Sequence, residues 1–277
     1  MDLAKVKTVL IVAFLSLNIF LAYKLWFVPQ SLQQGEVLSS EQIAETAELL
    51  QKHGFELVQG LPKQIPRMSL LHVVRSPQKP EEWADIFLDE PTRQKHRLGD
   101  KTIFWVGESI VEVMDNGKVT FITGLPGTGE ESSRTVAERF LRDLGLWQPD
   151  FKLDLAVPWR EKGYNYRFVQ TYQGFPLFFS TINVYVNSGT VQLVEIEQAL
   201  AVDFSDKDVM VISAQKALEV FVKEAANFPS KRIIDISLGY YSQHYDANSW
   251  ESAPVWRVAT ADGQAVYINA FTGEIEK

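Results

Sequence analysis

Thr8 to Tyr23 is a run of sixteen residues without a charge, and Lys24 followed by Leu25–Val28 extends it to twenty-one. As a helix rising about 1.5 Å per residue it would be roughly 31 Å long, enough to cross a hydrocarbon core. Either this end of the chain is a leader that is removed, or the rest of the protein is built around a membrane anchor. Lys24 lies near one end, where its long stem can carry the ammonium to the headgroups, and Tyr23, Trp26 and Phe27 cluster beside it as interfacial aromatics do. A cleaved leader would have a shorter apolar core followed by small residues at the cut. The flank here reads Lys24-Leu25-Trp26-Phe27-Val28-Pro29, with no A-x-A pattern, and the chain has no cysteine for a lipid. The flank favours retention as an anchor over residues 8–28. Lys5 and Lys7 precede the span with only Asp2 against them, and the next basic residue after Lys24 is Lys52. The positive-inside bias therefore expects residues 1–7 in the cytoplasm and residues 29–277 outside.

The chain carries a net charge of −8, and residues 1–28 hold three lysines and one aspartate, so the other residues share −10. That balance argues against nucleic acid and against adhesion to anionic lipid through the exported part. Apolar residues at 46% and aromatics at 12% suffice for packed cores, and without disulfides those cores must supply the stability.

Past a polar linker at 29–38, one pattern occurs three times: a capped amphipathic helix, then strands, then a hairpin with a glycine turn. "SSEQIAETAELLQKHGF" begins with a capping box, Ser39 and Gln42, turns Ile43, Ala47 and Leu50 to one side, and stops at Gly54. "SSRTVAERFLRDLG" stripes Val136, Phe140, Leu141 and Leu144. "SAQKALEVFVKEAANF" has Ser213 as cap and Leu218, Phe221, Val222 and Ala225 inward. The hairpins "VEVMDNGKVTFI", "INVYVNSGTVQLVEIE" and "VWRVATADGQAVYIN" turn at Gly117, Gly189 and Gly263, which are 72 and 74 residues apart. Alternation puts Ile182, Val184 and Val186 on one strand face, with Asn183, Tyr185 and Asn187 on the other. The expected fold class is α+β: an N-terminal transmembrane helix, then tandem units of antiparallel sheet with a helix packed on one face. The units are placed at 39–124, 130–201 and 209–277, with "GLPGTGEESS" (124–133) and "VDFSDKD" (202–208) as boundaries. Residues 75–101 read as a charged surface loop with a short helix near Trp83–Leu88.

Catalytic motifs are sparse. Ser213-Ala-Gln-Lys216 matches the S-x-x-K of acyl-transferring serine enzymes, but no S-D-N or K-T-G follows and helix capping explains Ser213 more simply. Gly124-Leu-Pro-Gly127-Thr-Gly129 precedes a helix, yet Glu130 and Glu131 stand where a phosphate would sit, so a linker is the better reading. His53, His72, His96 and His244 are scattered. Asp203, Asp206 and Asp208 have Lys207 among them and read as an acidic loop, and Glu195 and Glu197 read as solvated strand surface. No catalytic residue, cofactor or metal is expected. Asn18 stands apart: an amide near mid-membrane is costly without a partner. Ile11, Leu15 and Ala22 share its helical face, and Ala22 is small enough to admit a second helix. A hydrogen bond from a partner helix would compensate; a bond to the helix's own backbone is the alternative.

Three stretches together carry a resemblance. "MDLAKVKTVLIVAFLSLNIFLAYKLW" is similar to the start of YycI proteins. "YRFVQTYQGFPLFFSTINVYVNSGTVQLVEI" (166–196) resembles the strand pair shared by YycI, YycH and PepSY-like units. "VWRVATADGQAVYINAFTGEIEK" ends as PepSY-like repeats do. The resemblance to the YycI family implies a single-pass regulator of Gram-positive bacteria, without catalytic residues. It implies a YycH-like protein as heterodimer partner and a WalK (YycG) sensor histidine kinase, which governs cell-wall metabolism, as the target reached through transmembrane helices. Two rivals are a PepSY-like module that modulates a protease at the envelope, and a wall hydrolase or acyltransferase using Ser213.

Overall fold

The computed structural model describes residues 7, 10–20, 36–124, 133–242 and 247–276. Ala22, most of the expected 29–38 linker, residues 125–132 of the first expected boundary and His244 lie outside these described residues. Helix α1 covers residues 10–20. Among the described residues no helix is long and apolar enough to cross a membrane.

Short strands β1 (Glu36–Val37), β2 (Glu56–Leu57), β3 (Gln64–Ile65) and β4 (Arg67–Met68) surround α2 (Ser40–Lys52) and lead to β5 (Leu71–Arg75) and α3 (Pro80–Phe87). A meander follows: β6 (Gln94–Leu98), β7 (Lys101–Val106), β8 (Ser109–Met114) and β9 (Val119–Ile122). After α4 (Arg134–Asp143) come β10 (Phe151–Trp159), β11 (Gly163–Tyr172), β12 (Phe175–Asn187), β13 (Thr190–Glu197), β14 (Ala199–Phe204) and β15 (Val209–Met210). The last stretch is α5 (Ala214–Glu224), β16 (Arg232–Tyr240), β17 (Ser249–Ser252), β18 (Pro254–Thr260), β19 (Ala265–Asn269) and β20 (Ile275–Glu276). The chain is thus mixed α+β, dominated by sheet.

The local signals act as physics requires. Ser39 Oγ accepts the Gln42 N–H at 3.2 Å and Gln42 Oε1 accepts the Ser39 N–H at 2.9 Å, closing the capping box. Ser213 Oγ accepts the Lys216 N–H at 3.2 Å, so the S-x-x-K serine caps α5. The hairpin glycines 117, 189 and 263 all have positive φ, the conformation tight turns demand. Ile182, Val184 and Val186 are fully buried along β12.

Among the described residues thirteen strands form one sheet, ordered β20-β19-β18-β16-β12-β13-β9-β8-β7-β6, with β11 and then β10 branching from β12 and β2 from β16. The long strand β12 serves two cores. Its first half gives Phe175, Leu177 and Phe179 to a core where α2 and α5 cover β16, β18 and β19, with Phe55, Phe221 and Trp256 at the centre. Its second half gives Ile182, Val184 and Val186 to a core where α3 and α4 cover β7 to β13, with Trp83, Phe104, Leu141 and Phe168. The halves join where β12 and β16 run parallel at Leu177 and Tyr240.

Two features differ from the sequence-based expectation. Helix α2 packs beside α5, Phe55 meeting Phe221 edge-on at 5.2 Å, rather than on the β8–β9 hairpin that follows it. The helix over that hairpin is α3, found where a short helix was expected near Trp83–Leu88, but it is a core element and not part of a surface loop. Trp83, Ala84 and Leu88 are buried there, and Phe87 stacks on Phe121 at 4.5 Å. Eight residues, three of them acidic, give too short a period to reveal how much apolar surface they bury.

Candidate functional site

Two surfaces stand out, one on α1 and one on the sheet. Along α1 every large apolar side chain from Leu10 to Phe20 is between 53% and 68% exposed, so the protein itself buries none of them. That many apolar groups facing water would be unfavourable by roughly 1.5–3 kcal/mol for each residue left unburied. Ile11, Leu15 and Asn18 follow at helical spacing on one face. Asn18 Nδ2 donates to the Phe14 carbonyl at 3.0 Å. This is the intrahelical bond expected as the alternative to a partner. It occupies one N–H and leaves the second N–H and Oδ1 for another helix.

The second surface is the sheet face that α3 and α4 do not cover. On strands β7 to β13 the residues alternate with those of the buried core, and their registers connect directly. Trp105 pairs with Ile110, Ile110 with Ile122, Ile122 with Leu193, Leu193 with Tyr185, Tyr185 with Asn165, and Asn165 with Val157. One mostly apolar row therefore crosses seven strands. Solvated faces of antiparallel sheets usually alternate to polar side chains. Beside it runs a polar row. Lys101 bridges to Glu112 at 2.8 Å, and Lys118 lies 3.7 Å from Glu195 and 3.4 Å from Glu197. Glu195 and Glu197, expected as plain solvated surface, are thus ion-paired.

At the β10 end, the Asp262–Gly263 turn leans over the sheet and encloses a cleft of about 180 Å³. Gly263 is required there: a Cβ would lie 3.0 Å from Val157, and the φ is +85°. Trp159 and Tyr185 meet edge-on at 5.1 Å as one wall, and the Arg160 guanidinium covers Trp159 at 4.1 Å. The Tyr185 hydroxyl donates to Glu195 at 2.7 Å, and burial together with that carboxylate pushes its pKa well above the ordinary tyrosine value. Asn183 Oδ1 accepts both Arg167 Nε at 3.2 Å and Asn165 Nδ2 at 3.3 Å. The arrangement holds a cation and hydrogen-bonding groups against aromatic rings.

Other residues weighed from sequence are dispersed. Asp208 Oδ1 accepts from Ser69 Oγ at 2.5 Å, and His72 lies 3.6 Å from Glu251. Among the described residues no group of three or more His, Asp or Glu is placed to hold a metal ion.

A family model described as YycI protein matches residues 33–271. The chain belongs to the YycI family. Membership suggests a regulatory role in the WalK/WalR two-component system. Among solved structures, this YycI protein is similar to an uncharacterized protein from Eubacterium rectale ATCC 33656. The TM-score is 0.49 at 9% identity, over 80% of this chain and 89% of that one. It is also similar to the Bacillus megaterium YpeB C-terminal domain, with TM-score 0.36 at 14% identity over 88% and 97% of the two chains. Likeness at that level carries no functional conclusion. No curated protein matches the YycI chain. The residues of the cleft were not singled out as a site from sequence. Asn183, Tyr185 and Asn187 were readable as an outward face, but which strands continue that face is set by register.

Proposed function

We propose that this YycI protein is a non-enzymatic, single-pass regulator of the cell membrane. Its N-terminus is cytoplasmic, its folded part is extracellular, and it acts with a YycH-like partner on a WalK-type histidine kinase. The observation that carries the proposal is α1, on which every large apolar side chain is left outside the protein's own packing. In lipid those side chains are at no disadvantage, and specificity falls to Ile11, Leu15 and Asn18 on one face, to which helical spacing in the sequence adds Ala22. Helix packing and one interhelical amide bond, worth about 0.6–2 kcal/mol, would bias the kinase toward one of its states. Regulation needs a shift of only about 1–3 kcal/mol between such states. The folded part would set where and how α1 is presented.

The test replaces residues 1–28 with an unrelated membrane span and follows kinase-dependent transcription in cells. Loss of regulation with normal surface accumulation is the expected result. Regulation that persists would refute helix-mediated control.

A further inference from the structure

The cleft at the end of the sheet carries charge that its surroundings do not use. Arg167 spends Nε on Asn183, and its two Nη groups have neither a hydrogen bond nor an ion pair among the described residues. A half-buried guanidinium in that state favours an anion, and its planar Nη edge suits a carboxylate. Asp262, an exposed residue that also lines the cleft, accepts from Thr260 Oγ1 at 2.6 Å through Oδ1. Its other oxygen has no partner among the described residues. Asn165 Oδ1 borders the same space and also lacks a donor. Asn165 and Arg167 share the Asn183 Oδ1 acceptor, so donors for an anion and an acceptor for a cation lie side by side in the cleft. Leu155, Val157 and the rings of Trp159 and Tyr185 line the rest of it. At about 180 Å³ the space is well below the roughly 300–1,000 Å³ of pockets for drug-sized ligands and suits a small one.

We infer that this cleft binds a free α-amino acid with an apolar side chain. The carboxylate pairs with the Nη edge of Arg167, the ammonium lies between Asp262 and Asn165 Oδ1, and the side chain packs on Trp159 and Tyr185. The inference rests on the cleft alone and stands apart from any contact made by α1.

Isothermal titration calorimetry of the full-length chain in detergent micelles tests it with three probes: L-leucine, leucine methyl ester and N-acetyl-L-leucine. Each capped probe loses one charge. L-leucine is expected to bind at least about tenfold more tightly than either, the factor that one charge-assisted hydrogen bond supplies. Arg167→Gln removes the preference over the ester, and Asp262→Asn removes the preference over the acetylated form. Equal affinity for all three probes on the unaltered protein would overturn the inference. So would the absence of saturable heat with L-leucine up to its solubility limit. Neither outcome depends on how the variants fold.

Discussion

Arg257 and Asp154, 103 residues apart in sequence, are joined by two parallel hydrogen bonds, Nη1 to Oδ2 at 2.5 Å and Nη2 to Oδ1 at 2.6 Å. The same guanidinium donates to Asp235 Oδ2 at 2.7 Å and lies over the Phe178 ring at 4.4 Å. One buried cation thus ties β10, in the α3/α4 half of the sheet, to β16 and β18 in the other half. The two carboxylates hold Arg257 firmly in its charged form, overriding the opposing effect of its burial.

Arg257→Met is expected to destabilise the protein by roughly 3–5 kcal/mol, because Asp154 and Asp235 are left facing each other without a cation. Urea unfolding followed by circular dichroism reads this as a lower midpoint. A change under about 1 kcal/mol would mean that the two halves are held by apolar packing alone.

Gly239 on β16 lies tight against the first half of β12. A Cβ there would lie 2.5 Å from the Pro176 carbonyl oxygen and 2.7 Å from both Phe178 Cε2 and Pro176 Cγ. The carbonyl belongs to β12 and has little room to retreat. Gly239→Ala is expected to cost about 1–3 kcal/mol, with a matching fall in the thermal midpoint. An unchanged midpoint would show that β12 and β16 separate easily.

Glu138 on α4 accepts Arg134 Nε at 2.5 Å and Arg142 Nη2 at 2.9 Å. Burial raises its pKa, and the hydrogen bonds from Arg134 and Arg142 more than cancel that, leaving it below the ordinary 4.5. A depressed folded pKa means that the stabilisation is present above pH 4.5 and is lost as pH falls through the folded value. Glu138→Gln should therefore lower stability at neutral pH, and the gap from the unaltered protein should close as acid is added. Parallel pH–stability curves would contradict this.

Much of the local structure was legible in the sequence because its causes are local. Ser39, Gln42 and Ser213 satisfy backbone groups within three residues, and the turns at Gly117, Gly189 and Gly263 follow from a φ that few other residues adopt. Partner choice was not legible. The apolar face of α2 does not state that its neighbour is α5, nor does α3 announce that Trp83 and Leu88 belong in a core. Asp154 and Arg257 read as single strand charges, and only the fold brings them together. The cleft was hidden for the same reason. Arg167 sits mid-strand among apolar residues, an anomaly visible in sequence, but the Asp262 turn that lines the same cleft arrives from nearly a hundred residues away.

The claim that α1 recognises a neighbouring helix is tested most directly by photocrosslinking from single positions in intact membranes. Probes at Ile11, Leu15 and Asn18 should capture one discrete set of membrane partners, and probes at Ala13, Ser16 and Phe20 on the opposite face should not. Equal capture from both faces, or none from Asn18, would contradict the account.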